Sequence, residues 1–294
     1  MRNYIEFKKQ RDFGTILSTT FGFIRNEFKP LMRALMQIAG PAILLFLFAL
    51  ALYTYSAGDA FNFDVNDPDP FSVFGDGMIF IALIAYAITA VVAYILSEAT
   101  ILFYIKSYVD NKGAVDMTEV KRNVYGAFWG FFGLGILKGI TVFFSLLLCI
   151  LPVFYAMVPM TIVFSIYVFE RRRGATDSYS HSFYLVNEDF WLALGTIIVL
   201  GLIFYALNMV IAIPTVIYTY AKMGIFSGEI DPANFDTFTD PFYILLNVVG
   251  TLFQFLLSFI ITVGGAVIYF HLNEKRNFTG TYESISNIGG HIED

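Results

Sequence analysis

Apolar residues fill six stretches of the chain, 31–54, 78–105, 128–151, 153–170, 191–221 and 242–271, and polar residues collect between them. A hydrocarbon core about 30 Å thick needs ~20 helical residues per crossing, so the pattern predicts six membrane-spanning helices. Residues 12–28 read differently. There Phe13, Ile16, Leu17, Phe21, Ile24 and Phe28 recur at helical spacing behind Asp12 as an N-cap, with charges on the other face. This predicts a helix lying in the membrane interface within residues 1–30. Gly40-Pro41 predicts a kink in the first span, because proline lacks the amide donor. The second span is long enough for its end near Tyr104 to Tyr108 to leave the membrane, and Leu151-Pro152 leaves room only for a tight uncharged turn between the third and fourth spans.

A hydrophobic fraction of 57% with 14% charged residues excludes an ordinary soluble domain. The net charge of −6 matters less than its distribution. Of the 18 Lys and Arg, all but Lys138 and Lys222 fall in the N-terminal segment up to Arg33, in the 106–122 connection, in Arg171-Arg172-Arg173 or in Lys275-Arg276. Segment 55–77 carries Asp59, Asp64, Asp67, Asp69 and Asp76 without a basic residue, and Glu229, Asp231, Asp236 and Asp240 sit in 223–241. By the positive-inside rule 55–77 and 222–241 are outer loops, and both termini, including the 272–294 tail, are cytoplasmic. The first 30 residues hold no apolar run or small-residue cleavage site, so the first membrane helix is expected to direct insertion.

Parts of the chain repeat. Thr20-Phe21, Ile24, Glu27 and Phe28 match Ser182-Phe183, Val186, Asp189 and Phe190 at a constant offset; Asn62-Phe63-Asp64 recurs as Asn234-Phe235-Asp236, and Asp69-Pro70-Phe71 as Asp240-Pro241-Phe242. The order supports three units, each an interfacial helix followed by a transmembrane hairpin.

Ionisable groups within a bilayer are costly and single out Glu98 and Lys138. Lys138 lies ~20 Å along the axis from the turn at Leu151, and Glu98 ~30 Å from Met78, at the helical rise. The two could pair across the second and third spans, or Lys138 could snorkel to the interface. Gly126, Gly130, Gly135 and Gly139 give two GxxxG spacings and predict close helix packing. Arg171, Arg172 and Arg173 are candidates for a lipid head group or a protein partner. Asn208, Asn247, Gln254, Ser258 and Thr262 suit interhelical hydrogen bonds, while Pro214 is expected to interrupt the fifth span and Gly264-Gly265 to loosen the sixth. Cys149 is the single cysteine, and His181, His271 and His291 show no metal-ligand spacing, so no metal, cofactor or catalytic residue is expected.

Leu151-Pro152, Glu170 to Arg173, and Ala175 to Trp191 with Ser182 and Phe183 resemble six-helix bacterial membrane proteins that include the YciC-like proteins and the membrane domain of some glycerophosphodiester phosphodiesterases. Phe7 to Phe28 with Arg11-Asp12-Phe13-Gly14, and Tyr269 to Gly289 with Glu274, Lys275, Gly280 and Ile288-Gly289, are similar to an uncharacterised Bacteroidetes membrane-protein family. The resemblance implies a membrane domain and carries no phosphodiesterase activity. The expectation is an all-α integral membrane protein of the bacterial inner membrane, a single domain of six transmembrane helices with its termini in the cytoplasm. Its expected partners are membrane lipids and other protein subunits, with no nucleic acid. Its expected role is a non-enzymatic subunit or scaffold; the alternative is a transporter or lipid-translocating protein with a polar cavity near Glu98 and Lys138.

Overall fold

An apolar stripe recurring every three or four residues holds the first helix, α1 (Phe13–Ile38), against its neighbours: Ile16, Phe23, Leu31, Ala34, Leu35 and Ile38 are all buried. Asp12 caps it, Oδ1 accepting the Thr15 amide at 2.8 Å. The computed structural model describes residues 4–60, 77–148, 150–170, 174–224, 239–282 and 285. Residues 61–76 and 225–238, which hold most of the two acidic loops, lie outside the described residues, as do Cys149, Arg171 to Arg173 and the end of the tail.

All regular structure among the described residues is helical. After α1 come α2 (Gly40–Ala60), α3 (Gly77–Asp110), α4 (Met117–Leu148), α5 (Ile150–Phe169), α6 (Ala175–Val186), α7 (Phe190–Lys222), α8 (Pro241–Leu257) and α9 (Phe259–Asn277). Among the described residues, six spans are long and apolar enough to cross a membrane: Gly40–Gly58, Gly77–Asp110, Met117–Leu148, Pro152–Phe169, Phe190–Lys222 and Pro241–Asn277.

Three local expectations change. The first apolar span begins at Gly40 rather than at residue 31, because the amphipathic stripe of α1 continues through Pro30 to Ile38 and the helix breaks at Ala39. Pro214 does not interrupt the fifth span, for α7 runs through it unbroken. The sixth span is divided at Ser258 and not loosened at Gly264-Gly265; the Ser258 hydroxyl donates to the Phe255 carbonyl at 2.6 Å.

The chain forms two compact units, divided between α1 and α2 after Ile38, within α3 after Tyr94, within α7 after Phe204 and after Ser258. In the first unit α9 is the central helix, with every residue from Phe259 to Leu272 buried except Ile261. Hydrophobic transfer supplies little drive for helix association within lipid, so close van der Waals contact must do so. The glycines of α9 permit it. A Cβ at Gly264 would lie 2.4 Å from Leu200 Cδ1, and one at Gly265 would lie 3.0 Å from the Thr161 carbonyl oxygen. The α4–α5 contact stacks Phe131 on Phe164 with centroids 5.0 Å apart. Phe7, Phe23, Tyr108 and Phe270 make an edge-to-face cluster where α1 meets α9. Thr20 and Ser182, the matched positions of the internal repeat, are both fully buried, each donating to a carbonyl of its own helix.

In the second unit α2 packs on α8, and Tyr86 stacks on Phe46 and Tyr53 at 5.7 and 5.4 Å. No side chain of α8 is fully buried. Asp240 caps α8 by accepting the Phe242 amide at 2.8 Å, and it pairs with Lys222 at 2.8 Å and Tyr218 at 2.7 Å. These partners hold its carboxyl well below the usual carboxylate range, the Lys222 ammonium contributing most.

Candidate functional site

Glu98 on α3 and Lys138 on α4 line one small cavity of the first unit, together with Leu102, Thr161, Phe164, Ser165, Ile261 and Thr262. Both charged residues are half-buried. The Glu98 carboxylate acts electrostatically on the Lys138 ammonium, whose Nζ also lies 5.2 Å from the centroid of the Phe164 ring. Three hydroxyls line the cavity, and that of Thr161 donates to the Met157 carbonyl at 2.7 Å, so it presents lone pairs to any further partner. The cavity is about 30 Å³, room for one or two waters. Such a site can hold a charge pair and a bridging water; in this shape it cannot enclose an organic solute or a lipid.

The two basic residues that fell outside the basic segments of the sequence are thus both accompanied by a carboxylate, Lys138 by Glu98 and Lys222 by Asp240.

The four glycines of α4 separate. A Cβ at Gly130 would overlap the Tyr167 hydroxyl, so this glycine lets α5 approach. At Gly126, Gly135 and Gly139, and at Gly133 between them, a Cβ would meet nothing within 4 Å. Further close helix approaches occur at Gly264 and Gly265, which the sequence pattern presented as a loosened segment. Arg171, Arg172 and Arg173 lie outside the described residues.

A second polar cluster joins residues far apart in sequence. The Arg11 amide donates to His271 Nδ1 at 3.0 Å, which fixes the imidazole proton on Nε2 when the ring is neutral. Nε2 faces Asp189 Oδ2 at 3.5 Å, and Lys275 Nζ donates to the same oxygen at 2.6 Å. Burial works against ionisation of Asp189, but the Lys275 ammonium and the His271 imidazole outweigh it and hold its carboxyl below the usual range. The buried Arg11 guanidinium donates to the carbonyls of Phe7, Lys9 and Glu6. Burial lowers its pKa and Glu6 opposes the shift.

Glu274, almost wholly buried, accepts the amides of Gly280 at 2.7 Å and Thr281 at 2.9 Å and the hydroxyls of Thr281 at 2.8 Å and Thr279 at 3.1 Å. Gly280 lies so close to the Lys8 carbonyl that a Cβ would be 2.4 Å from its oxygen. Tyr108 completes the joint by accepting the Ile5 amide at 2.9 Å, and Tyr104 donates to Glu27 at 2.7 Å. Sequence reasoning missed this clasp because no spacing rule links residues some 260 positions apart.

Among the described residues no three His, Cys, Asp or Glu side chains converge as metal ligands would. No family model, curated protein or solved structure matches this chain.

Proposed function

We propose that this chain is a non-enzymatic subunit or scaffold of a larger assembly in the bacterial inner membrane, with both termini in the cytoplasm. The observation that carries the reading is the outward surface of α4. A glycine inside a helix costs about 1 kcal/mol relative to alanine, yet at Gly126, Gly133, Gly135 and Gly139 no described residue comes within 4 Å of where a Cβ would stand. Gly126 and Gly133 share a face with the exposed Trp129, Ile136 and Ile140, and Gly135 and Gly139 stand one turn apart. The two pairs lie on opposite faces of α4, and a neighbouring transmembrane helix on either face would recover the missing contacts there. The segregation of basic and acidic segments supports the orientation.

Mild native extraction should recover the chain with other membrane proteins, and Gly135→Leu with Gly139→Leu should release it as a folded monomer. A wild-type chain that is monomeric and alone after such extraction would refute the assembly role. Labelling of an engineered cysteine at position 64 from the same side as the termini would refute the orientation.

One observation favours a second reading, transport or lipid translocation: Glu98, Lys138 and three hydroxyls line a single cavity within apolar helices. This role requires the cavity to open well beyond about 30 Å³. On that reading Lys138→Met abolishes uptake into proteoliposomes, whereas persistent uptake by the variant excludes the cavity as its route.

A further inference from the structure

The end of α3, the first turns of α4 and the end of α5 border a second, larger space, open to the outside and about 420 Å³, lined by Phe103, Lys106, Glu119, Arg122, Asn123, Ala127, Tyr167 and Val168. Its lining sets Lys106, Arg122 and Asn123 beside an apolar wall. Lys106 is only 8% exposed, and its Nζ donates to the Val168 carbonyl at 2.5 Å, one of the last-turn carbonyls of α5 that no helical amide can reach. An ammonium has three donors, and this bond, with the Phe103 ring centroid 6.0 Å from Nζ, fixes where the charge stands on the wall of the space. Glu119, Arg122, Asn123 and Ala127 fall at spacings of three, four and eight along one face of α4. The cavity therefore brings two cations and one amide against one carboxylate.

The α4 N-terminal amides do not provide the attraction, because Asp116 Oδ1 already accepts those of Thr118 and Glu119. The position of the space indicates what fills it. Arg122 lies one turn from the exposed Tyr125 and two turns from Trp129, which is 76% exposed, an arrangement suited to the head-group level of a bilayer. Phe103, Ala127, Tyr167 and Val168 supply apolar surface beside the cations.

We propose that this cavity binds the phosphate of an anionic phospholipid, with Lys106 and Arg122 as its cationic contacts and Asn123 as a neutral donor. Of the proposed function it rests only on the premise that the chain lies in a membrane. Capture of lipid by detergent-solubilised protein depends neither on orientation nor on protein partners, so the two readings can fail separately.

Native mass spectrometry of the full chain with phosphatidylglycerol or phosphatidylcholine tests it. Phosphatidylglycerol should be retained in preference, and Arg122→Gln should lower its retention about fivefold, the value of one interfacial cation. Lys121→Gln, the same charge change beside the cavity but not lining it, should leave retention unchanged. Lys106→Met should match Arg122→Gln, and Arg122→Gln alone decides the matter if Lys106→Met fails to fold. Equal losses for Lys121→Gln and Arg122→Gln would reduce the effect to general surface charge and overturn the site. Retention unaffected by Arg122→Gln would also overturn it, as would binding of inorganic phosphate without any preference between the two lipids.

Discussion

Replacing Glu98 and Lys138 singly and together tests whether one cavity holds them as a pair. Removing one partner of a fully buried ion pair costs about 3–5 kcal/mol, because the remaining charge is stranded. In this protein both residues are half-buried and the cavity of about 30 Å³ has space for water. The residual charge would keep some solvation, and Lys138 would keep the Phe164 ring. The cost of Glu98→Gln or Lys138→Met is then about 1–3 kcal/mol, nearer that of one lost charged hydrogen bond. The double variant strands no charge and should be no less stable than the worse single variant, giving a coupling at least as large as the smaller single effect, about 1 kcal/mol or more. Reversible unfolding in mixed micelles at a fixed lipid-to-detergent ratio, followed by far-ultraviolet circular dichroism, measures all four corners of the cycle. If the two single effects simply add, the residues do not act as a pair, and the cavity does not hold the charge pair inferred for it.

Glu274→Leu should destabilise the tail by about 2–5 kcal/mol, since the Gly280 and Thr281 amides lose their acceptor; hydrogen exchange at 279–282 should accelerate while that of α9 near Val267 stays slow. Gly265→Val should cost about 1–3 kcal/mol by overpacking against Thr161, whereas Gly135→Val, where a Cβ meets nothing, should leave the thermal midpoint of the isolated chain unchanged. Asp189 ionises more readily in the folded chain than in the unfolded one, so over acidic pH the unfolded chain binds the extra proton. Its contribution is therefore complete above the unfolded carboxylate range near about 4 and is lost as pH falls below it. The thermal midpoint of the wild type should drop there more steeply than that of Asp189→Asn, and parallel curves would remove Asp189 from the clasp.

The hydrophobic pattern carried the six spans because crossing a bilayer is a requirement on length and composition, and both are local properties of a sequence. Boundaries were less legible. The stripe of α1 passes through Pro30 because burial of Leu31, Ala34, Leu35 and Ile38 continues on the same face. Pro214 leaves α7 continuous, a result that the proline alone does not predict.

Sequence alone determined that this protein is helical and apolar, with two charged residues, Glu98 and Lys138, inside apolar stretches and a segregation of basic from acidic segments. Only tertiary structure decided which glycines are close contacts, since Gly264 and Gly130 meet a neighbour while Gly126, Gly135 and Gly139 do not. It also decided that Arg11, Asp189, His271 and Lys275 form one cluster. The physical reason is the same in each case. Periodicity records which face of a helix is apolar, but the identity of the group opposite that face depends on how distant segments pack, and no local pattern encodes that.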